Sequence, residues 1–119
     1  MNIREFYERT GGDYVGVMDR FYEESRVRRF LRMFKEDPSF PELEARLEED
    51  RLREAFLAVH TLKGVCLNIG FSRLYGFASD VTEALRAEDK EKALELMPGL
   101  RQCYGEILGV IDEVLVEDA

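Results

Sequence analysis

One histidine, His60, stands in this chain of 119 residues. Neutral imidazole keeps a nitrogen lone pair at physiological pH, which makes it a usable nucleophile. Lys63 follows one helical turn later, with Gly64 beside it. A phosphoryl group arriving at His60 would bring about two negative charges. Lys63 can neutralise part of that charge and, while protonated, does not compete as a nucleophile. The residue types therefore suit phosphoryl transfer. GxxxxGK[ST] and GxGxxG are both absent, so ATP binding and self-phosphorylation are not expected, and the donor is another protein or domain. A single histidine with no Cys or carboxylate at ligand spacing predicts no metal site. Cys66 and Cys103 form no CxxC and fall on apolar seams, where they read as small core residues. No paired carboxylates and no Ser/His/Asp or Cys/His arrangement suggest another chemistry.

The elements that hold these residues read as helices. Ile3, Phe6 and Tyr7 form a short stripe stopped by Gly11 and Gly12, and Asp13 is expected to cap a second carrying Tyr14, Val17, Met18 and Phe21. Val27, Phe30, Leu31 and Phe34 form a third, with Ser25 as its expected cap. After the Asp37-Pro38 break, Ser39 to Glu42 reads as a capping box with Pro41 in the first turn of a helix through Leu43 and Leu47. Asp50 is expected to start a helix running to about Ile69, stopped by Gly70. Ser72 is expected to cap a helix carrying Leu74, Phe77, Val81 and Leu85. The last segment begins near Asp89, with Ala93, Leu96, Leu100, Cys103, Ile107, Val110 and Val114 as its seam. Pro98-Gly99 is expected to interrupt and kink it. No run alternates with period two, so strands are not expected. Short connections favour antiparallel neighbours. The expected fold is all-α: one domain over 1–119, an up-and-down antiparallel four-helix bundle (40–115) preceded by short N-terminal helices (1–36). The acidic clusters Glu48-Glu49-Asp50 and Glu117-Asp118 read as solvated helix ends.

The segment from Asp50 to Gly70 is the most informative. At ~100° per residue its seam of Leu52, Ala55, Val59, Leu62, Cys66 and Ile69 spans a stripe about 100° wide. His60 falls about 130° from the stripe's centre and points outward, with Lys63 about 60° around from it. Gly64 lies near the middle of the outward face, where Arg53, Leu57 and Leu67 also sit, while Phe56 at about 90° is partly buried. A glycine inside a helix costs about 1 kcal/mol relative to alanine. Its place four residues after an outward histidine makes sense if something approaches the backbone there. A lone helical histidine is ordinarily a solvated surface residue. Here a glycine and apolar side chains on the same face make it part of a docking patch.

Composition limits the partners. Lys plus Arg number 17 and Asp plus Glu 25, a net charge of −8 with a pI near 4.8. Such a chain repels nucleic-acid backbones and acidic membranes. No 18-residue apolar stretch predicts a membrane span, and the N-terminus lacks an apolar signal core. The expectation is a cytoplasmic, reduced, soluble domain.

His60-Thr61-Leu62-Lys63-Gly64 followed by Gly70 resembles the HxLKG(x5)G signature of histidine-containing phosphotransfer (HPt) domains. Phe71, the length and the all-helical pattern also resemble that family. Val65 and Cys66 depart from it, standing where many members have small Ser or Ala residues. The resemblance implies a phosphocarrier of two-component phosphorelay signalling. His60 accepts a phosphoryl group from a receiver-domain aspartyl phosphate or a histidine kinase relay and passes it to another receiver. Lys63 assists the phosphorylated state, and Gly64 leaves room for the receiver's loops. Arg53, Phe56, Leu57 and Leu67 complete the docking face. The expected partners are response-regulator receivers and a histidine kinase, with Mg²⁺ supplied by the receiver and the chain a monomer without cofactor or autokinase activity. The alternative is a non-phosphorylated interaction scaffold that uses the same face.

Overall fold

In a computed structural model, which describes residues 1–116, the described residues form seven helices and no strand. These are α1 (Ile3–Thr10), α2 (Tyr14–Phe21), α3 (Glu24–Glu36), α4 (Ser39–Glu48), α5 (Leu52–Ile69), α6 (Ser72–Arg86) and α7 (Lys90–Leu115). Glu117 and Asp118 lie outside the described residues. No described helix is long and apolar enough to cross a membrane.

Local side-chain chemistry starts several of these helices. Asn2 accepts from the Glu5 N–H, Asp13 from Gly16 and Asp89 from Lys92, each satisfying a donor that the helix leaves unpaired. Three other expected starts differ. Ser25 lies inside the first turn of α3, whose N-cap is Glu23 with no side-chain cap bond. Ser39 is already helical, and its N–H donates to Asp37 Oδ1 at 2.9 Å, so the chain uses the aspartate before the proline instead of the expected capping box. Ser72 is likewise the first residue of α6, behind Phe71, whose buried ring occupies the N-cap position. Packing Phe71 into the core sets where that turn begins, which outweighs a serine cap of about 1 kcal/mol.

Asp50 does not open α5. It ends α4 in the left-handed conformation (φ 59°), followed by Arg51 as the N-cap of α5. The Asp50 and Arg51 N–H groups donate back to the Leu47 and Arg46 carbonyls, and Lys90 pairs with the Asp50 carboxylate at 2.7 Å. Glu88 does the same after α6 at φ 58°, with its own and the Asp89 N–H returning to Leu85 and Ala84. A side chain in this region is disfavoured by ~1–2 kcal/mol, and Glu88, unlike Asp50, makes no ion pair among the described residues to offset it. Glu88→Gly is therefore expected to stabilise the fold by about 1 kcal/mol. A urea midpoint that rises at constant slope confirms this; an unchanged or lower midpoint refutes it.

The core is drawn from all the helices, and α5 lies against α4 on one side and α6 on the other. The third neighbour of the bundle is α7, which packs on α6 and runs antiparallel to α3 and α4. Arg28 donates to the Val114 carbonyl, Lys35 pairs with Asp112, Phe40 stacks on Tyr104 at 4.1 Å, and Glu44 holds Arg101. Read in order, these contacts descend α7 while ascending α3 and α4, so the two shorter helices act as one column broken at Asp37-Pro38. The result is an all-α bundle.

The α7 seam is wider than expected. Met97, Tyr104 and Ile111 are buried, whereas Leu96 and Val110 are only half-buried. A helix touching α1, α3, α4 and α6 needs a broader apolar face than a two-helix seam. Pro98 does not interrupt α7, which is helical from Lys90 to Leu115. Gly99 allows α6 to lie close there, since a Cβ on it would come within 2.9 Å of the Phe77 ring.

Candidate functional site

Helix α5 is the mount, and its C-terminal end is fully satisfied. The last carbonyls of a helix have no partner within it. Here the Cys66 carbonyl receives the Gly70 and Phe71 N–H groups, with Gly70 left-handed at φ 75°. Arg20 donates Nη2 to the Leu67 carbonyl at 3.1 Å and Nε to Asn68 at 2.9 Å. The Tyr7 hydroxyl donates to the Ile69 carbonyl at 2.7 Å, and the Asp13 N–H donates to Gly70. The short helices α1 and α2 thus supply the polar groups that terminate the site helix, and Arg20 also places positive charge at the negative end of its dipole. Burial pushes the Tyr7 phenol well above its usual range, so it remains a donor across the ordinary pH scale.

The buried face of α5 is Ala55, Ala58, Val59, Leu62, Cys66 and Ile69. Leu52, expected in the seam, is only half-buried at the first turn, and Ala58 takes part because α4 packs on that side. The opposite face carries His60, which is exposed and whose ring makes no hydrogen bond or ion pair among the described residues. Its ring stacks on Phe56, with centroids 5.8 Å apart and planes 15° from parallel.

Lys63 is half-buried, and its Nζ lies 5.7 Å from the centroid of the Tyr75 ring on α6. Neither it nor Arg53 is paired with a carboxylate among the described residues, in contrast to Arg46, Arg51, Arg73, Arg86 and Arg101. An ammonium resting on an aromatic face is held without being neutralised. It remains available to an incoming anion.

Around this centre the face is open. A Cβ built on Gly64 would meet nothing within 4 Å. Leu57 and Leu67 are exposed at 50% and 60%. Leu57 lines a shallow groove with Ala58, Thr61, Pro38 and α4 residues including Arg46. Arg53 and Phe56 share a second hollow with Leu85 and Arg86 of α6, where the Arg86 guanidinium lies 5.1 Å from the Phe56 ring centroid. Every residue read from the sequence as part of the site is thus on α5, and each is exposed or half-buried.

Tyr75 and Arg86 were missed. Both come from α6, and nothing local to α5 marks them; the only signal was their type, an aromatic and a cation on the helix expected to be its neighbour. Cys66 and Cys103 are buried free thiols, and burial pushes both upward from the ordinary thiol range, which makes them inert. Among the described residues no cluster of His, Cys, Asp or Glu is suited to a metal.

Comparison with protein-family models gives a match to the Hpt domain over residues 18–110. Comparison with curated proteins and with solved structures gives no match. The matched span contains all of α3 to α6, most of α7 and the end of α2 with Arg20, whereas Tyr7 and Asp13 lie before it.

Proposed function

We propose that this chain, which belongs to the Hpt domain family, carries its phosphoryl group on His60 and exchanges it with receiver-domain aspartates. Hpt domains are phosphocarriers and not kinases; they act in histidine phosphotransfer within phosphorelays, together with receiver domains and histidine kinases. The observation that carries the assignment to His60 is the pairing of the chain's single imidazole, exposed and unbonded, with an unneutralised ammonium one turn away and open backbone at Gly64.

The step is an in-line displacement. The imidazole lone pair attacks phosphorus of the aspartyl phosphate, a nitrogen–phosphorus bond forms, and the phosphorus–oxygen bond breaks with its electrons leaving on the carboxylate. The proton on the other ring nitrogen passes to water. Such transfer depends on positioning and charge stabilisation more than on covalent chemistry by the carrier. Lys63 moves from the Tyr75 face to the phosphoryl oxygens, and Mg²⁺ is contributed by the receiver. His60 requires no base of its own, because the attacking nitrogen is unprotonated in the neutral ring. Arg53, Phe56, Leu57, Gly64 and Leu67 form the surface against which the receiver closes. The proposed exchange takes place in the cytoplasm.

Incubation of the chain with a panel of phosphorylated receivers tests this. The expected result is label moving to the chain, stable in alkali and lost in acid, as a phosphorus–nitrogen bond behaves. Label that survives acid and is lost in alkali identifies a phosphoester and contradicts the assignment.

A further inference from the structure

A histidine that must present one nitrogen is usually oriented by a carbonyl or carboxylate on the other. His60 has no such partner among the described residues. An exposed side chain of this kind is free to move among its staggered rotamers, and only some of them aim the lone pair outward. The ring does have one neighbour. Phe56, a turn earlier on α5, lies beside it in an offset, nearly parallel arrangement at 5.8 Å and 15°.

Phe56 is itself held from the next helix. Its half-buried ring packs against the core, and the Arg86 guanidinium carbon lies 5.1 Å from its centroid. Arg86 is fixed in turn by its Nε donating to Glu83 at 3.0 Å. A line of contacts therefore runs from Glu83 through Arg86 and Phe56 to the imidazole, tying a ring on α5 to α6. Lys63 is tied to α6 in the same way by Tyr75, so the nucleophile and its cation are both steadied by the neighbouring helix.

We propose that Phe56 is a positioning residue for His60, with Arg86 holding Phe56 in place, so that stacking takes over the orienting role a hydrogen bond usually has. This rests on His60 being the phosphoryl acceptor, and goes beyond it by giving Phe56 a task inside the chain as well as on the docking face. Restricting the imidazole to the rotamer parallel to Phe56 removes rotational freedom before the partner arrives, which raises the fraction of encounters that react.

Because the chain has one histidine, isotopically labelled histidine gives a single ring spin system in NMR. The experiment compares the wild type with Phe56→Leu, Phe56→Tyr and Arg86→Met. It reads the side-chain couplings and ring shifts of His60 and the rate of its phosphorylation by phosphoramidate. In that reaction the phosphorus–nitrogen bond to ammonia breaks as the bond to imidazole forms, and ammonia leaves with the proton. The wild type is expected to show one dominant rotamer. Phe56→Leu keeps apolar bulk but lacks a ring; it is expected to give averaged couplings, shifted ring resonances and phosphorylation about three- to tenfold slower. Phe56→Tyr restores both readouts, and Arg86→Met falls between, with circular dichroism confirming the helices in each. Wild-type couplings and rate in Phe56→Leu, or no recovery in Phe56→Tyr, overturn the proposal. If the wild type takes up no phosphate, the acceptor assignment falls, and the couplings still decide whether Phe56 orients the ring.

Discussion

His60→Gln is expected to reduce phosphoryl uptake from any phosphorylated receiver to background while leaving the fold unchanged. The glutamine amide nitrogen is conjugated with its carbonyl and has no lone pair to attack phosphorus. No second imidazole is present to replace it. The side chain at this position is exposed and unbonded, so the substitution is expected to change stability by no more than about 0.5 kcal/mol. An unchanged urea midpoint beside lost transfer therefore separates chemistry from folding. Receiver binding by the variant is expected to persist, because the docking surface is left in place. A variant that still becomes labelled at the wild-type rate would move the acceptor elsewhere.

Gly64→Arg is expected to separate stability from function in the opposite direction. Glycine in a helix interior is less favourable than arginine by up to ~1 kcal/mol, and space at this position is open. The variant is thus expected to melt a few degrees higher. Transfer from a phosphorylated receiver is expected to fall about ten- to hundredfold, because a long side chain now stands where the partner's loops reach the backbone, and small displacements of reacting groups are costly. Phosphorylation by phosphoramidate, which needs no docking, is expected to stay near the wild-type rate. Equal losses with both donors would show that Gly64 acts on His60 itself and not on the partner's approach.

How much of this was legible from sequence depends on how local each signal is. Asp13, Asp89, Gly11 and Gly70 were read correctly as helix ends because the groups that satisfy them lie within a turn or so along the chain. Ser39 and Ser72 differ from expectation because a competing residue, Asp37 or the buried ring of Phe71, settles the boundary first, and Ser25 because α3 already starts at Glu24, behind Glu23. Asp50 reads locally as a start but is the residue after an end, and Lys90, distant in sequence, supplies its partner. The angular position of His60 followed from helical geometry and its neighbours on α5. What α6 contributes to the site did not, since the register between two helices is set by packing of the core. Tyr75 under Lys63 and Arg86 over Phe56 are consequences of that register. The part played by α1 and α2 was also illegible: nothing in the spacing of Tyr7 or Arg20 says that their polar ends reach the final carbonyls of α5.

The measurement that bears most directly on the central claim is localisation of the phosphate by fragmentation mass spectrometry, under neutral to alkaline conditions, after transfer from a phosphorylated receiver. A single phosphate is expected, on the peptide containing His60 and on the imidazole within it. Phosphate found on a serine, an aspartate or any other position of the chain would contradict it.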